Sequence, residues 1–177
     1  MDGARWFEDE GPAGDDEEPW EFSEADLSFL AALRARAAAW RVPRAPHHVG
    51  RSEDEASLLV RVGLADEEYH LVLGEWAVHF YGAYVLAGKV GDQLYNLHES
   101  PAYGSFRATG TAEDLAGRCA DWFERLLSRP VVREEWPSED GRHAVRWEFA
   151  DTGEPLVSRY PLPCDGSPPA HRHRVRP

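Results

Sequence analysis

At 177 residues the chain has room for one domain of ordinary size or two small ones, and 42% hydrophobic content with seven Trp, six Tyr and seven Phe excludes a wholly disordered protein. Thirty-two acidic against 19 basic residues give a net charge of −13, with a single lysine, Lys89, and scattered arginines, which argues against direct nucleic-acid binding. No apolar run approaches the roughly 18 residues of a membrane span, the acidic start is unlike a signal peptide, and two cysteines are too few for a disulfide scaffold, so a cytoplasmic protein that does not engage membranes is expected.

Residues 1–21 are rich in Gly, Pro and acid and poor in aliphatics, and are expected to form a disordered, flexible acidic leader. Residues 1–26 hold eleven acids against Arg5 alone, so most of the net charge lies here and the rest of the chain is nearly balanced. Two aromatic pairs sit inside this acid: Trp6-Phe7 before Glu8-Asp9-Glu10, and Trp20 with Phe22 after Glu17-Glu18-Pro19. Acid steers a segment toward a basic surface and aromatic rings supply anchoring area, so Trp6, Phe7, Trp20 and Phe22 are the candidate partner-binding residues. Packing of Trp20 and Phe22 on the chain's own first helix, with Trp6-Phe7 a disordered remnant, is the plainer alternative.

A helix is predicted from a Ser23 cap, with Asp26 in the first turn and a Phe22–Leu27 staple. Leu30, Leu33, Ala37 and Trp40 share one face, and Pro43 and Pro46 end the helix. Residues 43–56, with His47-His48, read as a loop. Strands are predicted at Leu58–Leu64, at Tyr69–Leu73, and, after punctuation by Gly74, at Trp76–Phe80. Ala83–Ala87 reads as a short strand or bend, and Gln93–Leu97 and Ser105–Ala108 as weaker strands. A second helix begins at a Thr111 cap and presents Leu115, Cys119, Trp122, Phe123, Leu126 and Leu127 as an apolar stripe. Val131–Trp136, Arg142–Phe149 and Leu156–Tyr160 read as an antiparallel meander.

The expected fold is α+β: an antiparallel sheet of about six to eight strands with two main helices on one face. Its parts are a leader over 1–21, a single α+β domain over 22–162, and a flexible Pro/Arg/His-rich tail over 163–177.

Short motifs supply little chemistry. Asp151-Thr152-Gly153 is the tripeptide that carries the aspartate of aspartic proteases, but Glu154 follows it, and such a tripeptide between strands is an ordinary turn. The eight histidines show no metal-binding spacing, although His70 and His79 could face each other across a hairpin. Cys119 falls on the apolar stripe as an inert thiol, and no nucleophile elbow or phosphate loop occurs. No metal, no cofactor and no catalytic residue is assigned.

The sequence therefore suggests a non-catalytic protein-binding module, an adaptor or an immunity-type inhibitor, for a partner with a basic surface. The alternative is a small enzyme or small-ligand binder with a pocket between the 76–84 strand region and the 112–128 helix, lined by Trp76, His79, Tyr81 and Tyr84. Absence of isoleucine, with single Lys and Asn residues, fits a bacterial genome of high G+C content.

Overall fold

The computed structural model describes residues 6–8, 20–52, 56–98, 104–137, 143–164 and 166–176. Helix α1 spans Glu24–Ala37 and opens on a capping box: the Asp26 amide donates to Ser23 Oγ at 3.2 Å, and the Ser23 amide donates to Asp26 Oδ2 at 2.9 Å. Phe29, Leu30, Leu33 and Ala37 form its buried stripe. The expected staple is not made, because Leu27 is 54% exposed; Phe22 packs on the core without it, under the Arg51 guanidinium.

Five antiparallel strands follow in sequential order: β1 (His47–Arg51), β2 (Leu58–Asp66), β3 (Leu71–Phe80), β4 (Tyr84–Lys89) and β5 (Phe106–Thr109). The expected loop over 43–56 thus contains an edge strand. Its one buried aliphatic, Val49, gave no alternation to read, and the strand exists because residues 47–51 pair with Val62–Leu58. Strand β3 runs through Gly74 instead of breaking there. A side chain at Gly74 would collide with the Trp76 ring two residues on, so glycine serves the packing of that ring rather than a turn. Of the expected strand at Gln93–Leu97, one bridge remains, Val90 to Leu97; Asp92 accepts the amides of Leu94 and Asn96 and curls the segment into a turn.

Helix α2 (Ala112–Leu127) is capped by Thr111 and packs on α1 and β4. Leu115, Cys119, Phe123, Leu126 and Leu127 are buried as the stripe requires, whereas Trp122 is half-buried and donates its indole N–H to the Gly104 carbonyl at 3.1 Å. Beyond α2 the meander forms as read: β6 (Val131–Trp136), β7 (Ala144–Phe149) and β8 (Pro155–Arg159). It belongs to a second sheet, ordered β8-β7-β6-β9, whose last strand is β9 (His171–Arg176).

The α+β class holds, but the single sheet expected becomes two, of five and four strands, and the helices pack on each other as well as on the first sheet. Residues 171–176, expected as tail, pair with β6 from Val131 to Glu135. One core spans both sheets and both helices: Phe29 stacks on Phe80 with ring centroids 4.4 Å apart, and Trp76 meets Phe149 at 6.0 Å. Among the described residues no helix is long and apolar enough to cross a membrane.

Candidate functional site

The end of β2 and the middle of β6 meet around one buried ion cluster. Asp66 accepts the amides of Glu68 and Tyr69 through Oδ1, which folds the turn before β3. Its Oδ2 accepts from Arg133 Nη1 at 2.9 Å and from the Trp147 indole at 2.8 Å. Arg133 also pairs with Glu68 at 2.9 Å and Glu135 at 2.7 Å, and lies over the Tyr69 ring at 4.4 Å. Burial pushes the Asp66 carboxyl up, but the hydrogen bonds from Trp147, Arg133 and the Tyr69 amide outweigh it and hold the carboxyl below its ordinary range. Burial likewise works against the Arg133 charge, and Glu68, Asp66 and Glu135 overcome it, so the guanidinium is held more firmly protonated than usual. This cation, shared by three acids, clasps the first sheet to the second.

Beside the cluster lies a groove of about 540 Å³ between the 65–68 turn, the 43–46 segment and β9, lined by Arg44, Asp66, Glu67, Arg133, Arg174 and Arg176 among others. Arg176 is 6% exposed; its Nη2 donates to the Pro43 carbonyl at 3.1 Å, and its buried Nε has no partner among the described residues. Burial pulls the Arg176 pKa down, and the charge of Glu67 offsets part of that. On the opposite face of the second sheet Arg146 and Arg172 bracket two buried carboxylates: Arg146 meets Glu134 at 2.6 Å and Glu148 at 3.1 Å, and Arg172 meets them at 3.7 and 3.3 Å.

The four candidate anchors do not form a surface patch. Trp6 and Phe7 are 5% and 0% exposed; they pack on Trp40 and His47, Phe7 also meets Phe123 at 5.8 Å, and Arg34 Nε donates to the Phe7 carbonyl at 2.7 Å. Their apolar area is therefore already used inside this chain. Phe22 is half-buried at the start of α1, and half-buried Trp20 lies beside β1 near Gly50.

The four residues of the alternative pocket fall on two faces of the first sheet. Trp76 points into the core with Val78 and Phe80, while His79 and Tyr81 alternate to the other side, where Tyr81 stacks on Tyr84 at 4.6 Å. His70 and His79 do not face each other. His70 sits in the turn before β3 with φ of 48°, and His79 near the far end of that strand.

His79 does meet a serine that sequence reasoning passed over. Ser57 Oγ lies 2.9 Å from His79 Nδ1, and His79 Nε2 lies 3.0 Å from the Tyr95 carbonyl. Ser57 is 0% exposed, so no substrate reaches its hydroxyl, and the pair latches the 90–98 segment to the sheet. Asp151-Thr152-Gly153 forms the connection from β7 to β8, with Gly153 at φ of 70° and Arg129 bonded to both Asp151 and Thr152. The Arg129 hydrogen bond holds the Asp151 carboxyl low. Burial pushes the Cys119 thiol up to about 12, while Cys164 is exposed. Among the described residues no three His, Cys, Asp or Glu side chains converge as metal ligands.

Arg44 and Arg176 were missed by sequence reasoning. The one usable signal was the strict alternation His171-Arg172-His173-Arg174-Val175-Arg176, a strand period hidden by its basic composition. No protein family, no curated protein and no solved structure matches this chain.

Proposed function

We propose that this protein is a non-catalytic protein-binding module, an adaptor or immunity-type inhibitor, for a partner that presents a basic surface. The observation that carries this reading is where the acid is attached. The stretch 9–19, with six acids and no base, starts just after the buried Trp6-Phe7 pair and ends at Trp20 beside β1. A run of acid joined to the domain through Glu8 and Trp20 speeds encounter with an opposite surface. The groups most suited to chemistry are committed to structure: Ser57 and Cys119 are sealed in the core, and Asp151 is bound within its turn.

The test is a full-length variant with Asp9, Glu10, Asp15, Asp16, Glu17 and Glu18 changed to Asn or Gln, leaving Trp6, Phe7 and Trp20 intact. The wild-type chain should capture a basic protein from extracts of its source, with association that slows as salt rises. The variant should associate more slowly and lose most of that salt dependence. Equal capture at equal rate by both proteins would overturn the reading.

A further inference from the structure

Going beyond that reading, we propose that the groove between the 65–68 turn and β9 is a carboxylate-binding site, with Arg176 receiving the ligand and Arg44 and Arg174 flanking it. A guanidinium carries five N–H donors in a rigid fork. Arg176 is almost fully buried, yet its Nη2 is given one backbone carbonyl and its buried Nε none. Leaving a charged N–H unmet in a buried place is costly, and a carboxylate is an acceptor that suits a guanidinium. Arg44 and Arg174 project from the 43–46 segment and from β9 to line the same space, and both side chains are exposed.

The acids of the groove narrow the ligand class. Asp66 and Glu68 are engaged by Arg133, so Glu67 is the remaining anion, acting on Arg176 through space. Four arginines against three acids leave the lining with one net positive charge, which suits a single carboxylate and disfavours a polyphosphate or nucleic acid. The volume of about 540 Å³ lies in the range of small-ligand sites, and an adjoining hollow of about 330 Å³ shares Arg44, Pro46 and Glu67 with it. Space is thus available for whatever carries the carboxylate. That carrier is either a free small acid or an acidic side chain in an extended peptide.

Calorimetric titration of the full chain distinguishes these sources. The probes are butyrate, a blocked pentapeptide with one central glutamate, and inorganic phosphate as the competing oxyanion. Binding of the peptide well above butyrate assigns a protein-borne carboxylate; equal affinities assign a free acid. Arg176→Gln should weaken binding at least about tenfold, the loss of a charge-assisted hydrogen bond, and Arg176→Lys should recover only part of it. Because Arg176 also ties β9 to Pro43, the exposed Arg44→Gln variant supplies an arm that leaves the fold intact, with an expected loss of about threefold to tenfold. Glu67→Gln should tighten binding. Absence of carboxylate binding to the wild type at millimolar concentration, phosphate bound more tightly than either carboxylate, or unchanged affinity in Arg44→Gln would each overturn the assignment.

Discussion

The N-terminal aromatic pair and the C-terminal strand are both fastened to the body of the protein, and by opposite means. Trp6 and Phe7 are held by apolar burial among Trp40, His47 and Phe123, with Arg34 on the Phe7 carbonyl as a polar tie. Residues His171–Arg174 are exposed and stay in place through the ladder to β6 and the ion pairs of Arg172. Burial is short-ranged and indifferent to salt, whereas exposed ion pairs are weak and screened. The difference teaches that a polar or acidic neighbourhood in sequence says little about whether two aromatic residues within it are free.

That comparison is broken most severely at Phe7. Phe7→Ala should cost about 3–5 kcal/mol in urea denaturation, the range for emptying a sealed aromatic site. Removing residues 1–21 should cost no less, so such a truncation tests folding and not docking. A loss under roughly 1 kcal/mol would place the ring at the surface.

The next largest effect is expected at Asp66, where burial and charge act together. Asp66→Ala should cost about 3 kcal/mol, toward the lower end for a broken buried pair because Arg133 keeps Glu68 and Glu135. The folded carboxyl titrates below its unfolded value of about 3.9, so its contribution is complete above that pH and is lost as pH falls through the folded value. Urea midpoints at pH 7 and pH 5 should therefore agree as far as this group is concerned, with a decline below about pH 4 that Asp66→Asn reduces.

Salt sharpens the contrast between the two ends. Arg172→Gln should cost under about 1 kcal/mol at low salt and nearly nothing in concentrated salt. The cost of Phe7→Ala should not fall with salt. The smallest effect is expected at the β7–β8 connection: Asp151→Asn loses an exposed pair to Arg129, again under about 1 kcal/mol, because an amide keeps a hydrogen bond and suits the turn. Thermal melts of both variants check these values.

Elements with periodicity or caps were legible from sequence: both helices with their Ser23 and Thr111 caps, the strands from Leu58 to Phe80, and the meander. The two strands that went unread share one cause, since their partners decide them. β1 and β9 are edge strands with little apolar pattern of their own, made by pairing with β2 and β6. Two sheets in place of one follow from α2 carrying the chain from β5 to β6, a choice that local periodicity does not encode. The groove was illegible for the same reason: Arg44, Glu67 and Arg176 are distant in sequence and meet only once β9 is laid down.

The latch at Ser57 also has a direction. A backbone carbonyl has no hydrogen to give, so His79 Nε2 carries the proton that points to Tyr95, and in the neutral ring this leaves Nδ1 to accept from the Ser57 hydroxyl. The imidazole is thereby confined to one tautomer, and both hydrogens of the relay run from the sheet toward the 90–98 segment. A hydroxyl proton held in this way, out of reach of water, leaves only when the structure around Ser57 opens. In a proton NMR spectrum it should persist as a resolved, slowly exchanging resonance. Its exchange rate would then time that opening, a motion far slower than the picosecond rattling of the side chains around it.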